Sequence, residues 1–132
     1  MAEEKVKDIA QEAETVILRL KEDGGGKLVL TTSQIRKFLA SVSALTNKVD
    51  VYRAQHAEAA ALSPELASAV KYLKVQLAYQ AGREPKKVKP FVETARLKER
   101  IDSIGTDIRA YEDFAHYMEA LVAYHKFYGG RD

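Results

Sequence analysis

Apolar residues recur every three or four positions along nearly the whole chain, and this spacing commits it to helices that pack by one face. Val6, Ile9, Ala13, Val16, Ile17 and Leu20 make the first stripe, on a helix expected from about Glu3 to Glu22. Gly24-Gly25-Gly26 stops it, because three glycines in a row carry a large backbone-entropy cost inside a helix. The run has no strand before it and no Gly-Lys-Ser/Thr after it, so it does not read as a phosphate loop. Only Leu28-Val29-Leu30 has strand character, and it is too short to found a sheet.

Thr31 and Gln34 have capping-box spacing and open a second helix. Its apolar face is Ile35, Phe38, Leu39, Val42, Leu45, Val49 and Tyr52, and the alanine-rich stretch from Ala54 to Leu62 can extend it. Ser63-Pro64-Glu65 restarts the chain as a third helix: serine caps, proline fits the first turn, and glutamate favours the positive helix end. This helix is expected to run to about Ala81, with Leu66, Val70, Leu73 and Leu77 inside and Gly82 as its C-terminal cap. A fourth begins at Pro85 or Lys86, or else at Pro90, and carries Val88, Phe91, Val92, Ala95, Ile101 and Ile104 inward. Gly105 and Thr106 break it, and Asp107 opens the last helix, which Gly129-Gly130 ends. The expected fold is all-α, a compact bundle of about five helices in one domain spanning residues 1–132. Residues 1–30 supply an N-terminal helix and a glycine-rich loop to a core built from residues 31–132.

The length, 132 residues, suits one core, and 46% hydrophobic residues can fill it without disulfides or metal. The chain has no cysteine, which excludes thiolate nucleophiles, iron–sulfur clusters and cysteine zinc sites together. No run of about 18 apolar residues is present and no signal-peptide core follows the charged residues Met1 to Asp8, so a cytoplasmic protein with no membrane contact is expected. His56 stands alone. His116 has Glu112 and Glu119 one turn away on either side, but no second carboxylate–histidine helix supports a metal site. His125 lies by the apolar face of the last helix and reads as a satisfied, half-buried residue. No serine has a Gly-x-Ser-x-Gly setting. No catalytic residue, metal or cofactor is expected.

Net charge is only +2, but it is unevenly spread. Residues 71–100 hold nine lysines and arginines against three acids, between flanks at 1–23 and 101–132 that are each net −3. Arg36 and Lys37 lie on the second helix, Lys71, Lys74 and Tyr79 on the third, and Arg83, Lys86, Lys87 and Lys89 in the turn after it. The last helix ends Tyr124-His125-Lys126-Phe127-Tyr128-Gly129-Gly130-Arg131. Cations interleaved with aromatics suit a nucleic-acid strand, since cations neutralise phosphates and flat rings stack on bases. Tyr79, Phe127 and Tyr128 each also have a reading as core residues, and the charges one as a solvated helix face.

Three segments make the pattern specific. They are Ile35-Arg36-Lys37-Phe38-Leu39, the string from Tyr72 to Arg83 that ends Tyr-Gln-Ala-Gly-Arg, and the stretch from Phe114 to Gly130 that ends Ala-Tyr-His-Lys-Phe-Tyr-Gly-Gly. Together they resemble the small helical subunit of the type III-A CRISPR–Cas effector, the Csm complex, from about residue 31 to the C-terminus. The resemblance implies a helical bundle that stacks in several copies beside larger backbone subunits holding a guide RNA, along the guide–target duplex. It implies contact chiefly with target RNA, and leaves target cutting to the backbone subunits and DNA cutting to the large subunit. Such a protein needs positive charge and shape rather than base readout, because base pairing supplies the specificity. The residues expected to touch RNA are Arg36, Lys37, Lys71, Lys74, Arg83 and Lys126, followed by Lys48, Arg53, Lys86, Lys87, Lys89 and Arg131. The acidic N-terminal helix is expected to pack on the basic face of a neighbouring copy. The competing readings are a scaffold that binds proteins and touches RNA little, and a small enzyme built on His116.

Overall fold

The computed structural model describes residues 8–132, and these residues form six helices. They are α1 (Ile9–Asp23), α2 (Thr32–Gln55), α3 (Pro64–Arg83), α4 (Lys89–Thr94), α5 (Leu97–Ile104) and α6 (Ile108–Phe127). The first turn expected from Glu3, with Val6, lies outside the described residues. No strand occurs among the described residues; Leu28 and Val29 sit in an irregular linker, and Leu30 plugs the core.

Local signals set most helix starts. Asp8 accepts from the Gln11 backbone N–H, Ser63 from Leu66 and Asp107 from Ala110. At Thr31 the capping box is complete: its side chain accepts from Gln34 N–H while the Gln34 carboxamide accepts from Thr31 N–H.

Helix α6 is the centre of the bundle. It packs on α1, α2 and α5, and eight of its residues are buried, from Ile108 round to His125. Helices α1 and α2 do not pack against each other; α1 rests on α6 and α4, and the α2–α3 pair stands on the other flank. Two buried tyrosines of α6 tie the layers. The Tyr111 hydroxyl donates to the Val42 carbonyl (2.9 Å) and accepts from Thr46 (2.8 Å), and burial pushes its pKa up to about 12. The Tyr117 hydroxyl donates to the Ala95 carbonyl at 3.0 Å.

The expected fourth helix is in fact two. Arg96 takes a left-handed conformation (φ 56°), which ends α4 and starts α5 at a new angle. The break leaves the Ala95 carbonyl without a helical partner, and two side chains supply one: Tyr117 Oη and, at 3.2 Å, Arg100 Nε. Arg100 then spans α5, α6 and α1, with its guanidinium 3.7 Å from the Tyr117 ring centre and paired to Glu12. Among the described residues the bundle therefore has six helices rather than five, and α4 begins at Lys89, which fits the expected start at Pro90 and not the one at Pro85 or Lys86.

Two other boundaries differ from expectation. Helix α2 ends at Gln55, not Leu62, because Ala60 and Leu62 hydrogen-bond to the α5–α6 turn instead: Leu62 N–H to Thr106 O and Ile108 N–H to Ala60 O. Helix α3 runs through Gly82 to Arg83 and closes on Glu84, so Gly82 is an interior residue, not the cap.

The chain's last residues fold back onto the first turn of α2. Arg131 O accepts from Thr32 N–H, and Asp132 accepts from both the backbone and the hydroxyl of Ser33. His125 is 1% exposed and donates Nε2–H to Leu30 O at 2.7 Å, while its Nδ1 is buried without a partner. Burial lowers its pKa, outweighing the Leu30 hydrogen bond.

Candidate nucleic-acid interface

Helices α2 and α3 form an antiparallel hairpin, since the start of α2 faces the end of α3 and the reverse. Their buried stripes, Ile35 to Val49 and Leu66 to Leu77, point at the core. One step round each helix, a second pair of stripes meets in an open groove. Helix α2 contributes Lys37, Ser41, Ala44 and Lys48, spaced at four, three and four residues. Helix α3 contributes Ser68, Tyr72, Val75 and Tyr79 with the same spacing. The groove comprises a wider cleft of about 720 Å³ beside Lys48 and Lys71 and a smaller one of about 290 Å³ beside Lys37 and Tyr79.

Cations rim this groove at both ends. Lys48 and Lys71 line one end with Glu65, the single acidic residue of the lining. Lys37 lines the other, where the Arg83 guanidinium lies 5.8 Å from the centre of the Tyr79 ring. All four cations are exposed, and none belongs to the three ion pairs found among the described residues. Lys37 and Lys48 are eleven residues apart, which is about 17 Å along the helix, the length of roughly five stacked nucleotides.

Other sequence-expected residues lie elsewhere. Lys74 turns away from the groove to Asp102 of α5 at 2.6 Å, and Arg53 pairs with Glu112 of α6. Arg36 and Lys126 both act on the Asp132 carboxyl, which the two Ser33 hydrogen bonds hold below the usual range and these cations lower further. With Arg131 they make a separate cluster at the C-terminus, partly neutralised there. Lys86 and Lys87 sit exposed in the turn after Arg83, and Lys89 begins α4.

The aromatic residues divide as well. Tyr79 and Phe127 are 61% and 75% exposed, so the core reading fails for both. Tyr128 is held within the fold: its hydroxyl donates to Glu14, and Lys21 donates to its carbonyl at 2.9 Å. Sequence reasoning did not single out Tyr72, Val75, Ser41 or Gln76. The signal was present, since Tyr72, Val75 and Tyr79 form an apolar stripe on α3 beside the buried one.

No group of three His, Asp or Glu side chains placed to hold a metal occurs among the described residues. His116 is exposed, and its neighbour Glu112 is engaged by Arg53. No helix among the described residues is long and apolar enough to cross a membrane.

Residues 3–131 match the family model described as Csm2 Type III-A. The chain is 43% identical over 120 residues to a Streptococcus thermophilus protein described as "CRISPR system Cms protein Csm2", covering 91% of this chain and 90% of that one. It is 35% identical over 125 residues to a Mycobacterium tuberculosis protein of the same description, covering 95% and 94%. The corresponding Enterococcus italicus protein is 32% identical over 117 residues, covering 83% and 79%.

Proposed function

The chain belongs to the Csm2 type III-A family, and from that premise we propose that it is a non-catalytic small subunit of a Csm complex that binds RNA along the α2–α3 groove. Copies stand side by side with the larger Csm subunits in the cytoplasm, and the complex acts in defence against invading genomes. The chain reads no sequence. Its lysines neutralise phosphates wherever base pairing has placed a target strand.

The observation that carries this reading is the set of four exposed cations, Lys37, Lys48, Lys71 and Arg83, that rim one groove and have no internal carboxylate partner among the described residues. The overall charge gives no such direction, because a net +2 chain attracts a polyanion only where its cations gather. Weak binding by each copy becomes strong when several copies line one strand.

The test combines co-purification with Csm subunits, extraction of bound nucleic acid, and titration of the full chain with unrelated RNA sequences over a range of salt. Near-equal affinities that fall steeply with salt are expected, and replacing groove lysines should flatten the dependence. Assembly with Csm subunits but no RNA binding, with groove variants that weaken assembly instead, would establish the scaffold reading. The neutralised Lys74 and Arg53 favour that second reading over a fully cationic face.

A further inference from the structure

The smaller cleft has a chemistry that phosphate binding does not require. Lys37, Phe38 and Ser41 of α2 line it, facing Tyr72, Val75, Gln76, Tyr79 and Gln80 of α3. Tyr72, Val75 and Tyr79 remain 59%, 55% and 61% exposed on one continuous stripe. A patch of large apolar side chains left in water on a small domain marks a surface that something covers. At about 290 Å³ the cleft lies just below the size of small-molecule sites, roughly 300–1,000 Å³, and so suits one flat ring system.

The polar groups around it narrow the choice. Gln76 and Gln80 are half-buried carboxamides, each with donors and an acceptor, and suit the mixed edge of a nucleobase. Lys37 stands beside them as a phosphate partner. Arg83 lies over Tyr79 at 5.8 Å from the ring centre, while the tyrosine still lines the cleft. An aromatic ring, a carboxamide pair and an adjacent cation together make a site for an unpaired nucleotide.

We propose that the cleft between Lys37 and Tyr79 is a base-stacking subsite, which receives an unstacked nucleobase of single-stranded RNA on the Tyr79 ring while Lys37 holds the adjoining phosphate. This rests on the RNA-binding reading of the groove and adds to it a ligand class: a strand with at least one base out of its stack. Stacking tolerates any base, because every base has a π-face, so the subsite stays independent of sequence.

The test uses the full chain and two labelled RNAs of about 12 nucleotides, within the roughly 4–16 nucleotides such grooves cover: one with bases, the other abasic throughout. The base-bearing RNA should bind about tenfold more tightly at equal salt. Tyr79→Ala should remove most of that difference without changing the salt slope, and Tyr79→Trp should keep it. Lys37→Ala should lower the slope on both RNAs. Unaltered circular dichroism and melting of the Tyr79 variants confirm folding, as expected of an exposed ring. Equal affinity for the two RNAs, or equal weakening of both by Tyr79→Ala, overturns the subsite and leaves the lysine groove standing. Binding of neither RNA overturns both. Retained RNA binding together with loss of a Csm subunit from Tyr79→Ala preparations would make the cleft a protein contact and also overturn the subsite.

Discussion

Gly130 lies against the imidazole of His125 so closely that a Cβ at position 130 would come within 2.1–2.6 Å of three ring atoms. Its N–H donates to the His125 carbonyl at 2.7 Å, so the backbone turns over the very side chain it grips. The other face of this junction is Leu30, whose carbonyl accepts the hydrogen bond from His125 Nε2–H.

The first prediction follows from that contact. Gly130→Ala must displace either the ring or the tail, and should cost about 1–3 kcal/mol, the range for overpacking a tight site. Urea denaturation measures it. Gly82→Ala is the control, because an added Cβ there meets nothing and the position lies inside a helix, so it should be neutral or stabilising by about 1 kcal/mol.

Acid should loosen the same junction. The folded pKa of His125 is lowered, so the unfolded chain takes up a proton that the folded chain resists. The contribution is complete above the unfolded value of about 6.5 and is lost as pH falls from there toward the depressed folded value. Unfolding free energies from urea titrations at neutral and mildly acidic pH should decline with a slope no steeper than about 1.4 kcal/mol per pH unit from this group. A His125→Gln chain, though less stable overall, should lack that decline between about pH 7 and 5.5, above the carboxylate range.

At the α4–α5 break, Tyr117 and Arg100 share one acceptor, the Ala95 carbonyl. Tyr117→Phe should cost about 0.5–1.5 kcal/mol, because the buried carbonyl keeps one donor. Removing Arg100 as well should cost more than the two single changes added together, since the carbonyl is then orphaned. A double-mutant cycle by chemical denaturation settles it; strict additivity would mean that the two donors act independently.

In the groove, Lys37→Ala, Lys48→Ala and Lys71→Ala should each reduce the log–log salt slope of single-stranded RNA binding by about 0.7. Lys74→Ala and Arg53→Ala should leave it nearly unchanged, because Asp102 and Glu112 already hold those cations. Fluorescence anisotropy across a salt series checks this. A Lys74 effect as large as that of Lys37 would move the RNA path to the α3–α5 face.

What could be read in advance was what neighbours in sequence decide. Thr31 with Gln34, Ser63 with Pro64, and Asp107 act over three residues, and each starts its helix as expected. The break at Arg96 has no glycine or proline to announce it; the partners that satisfy it are Tyr117 and Arg100, and Tyr117 arrives on another helix. The end of α2 was hidden for the same reason, because the alanines after it are drawn to the distant α5–α6 turn. Basic residues could be counted but not sorted. Asp102 is 28 positions from Lys74, and Glu112 is 59 from Arg53, and only the folded chain brings them together. The groove needs the α2–α3 hairpin to close, so its two stripes looked like separate solvated faces.

Because α6 separates α1 from the α2–α3 hairpin, the two flanks share no direct contact. A strain applied at one reaches the other through α6, and also through α4, which packs on both α1 and α3. The molecule is therefore built like two arms on a shared beam, and whatever occupies one arm bears on the other through the helices between them.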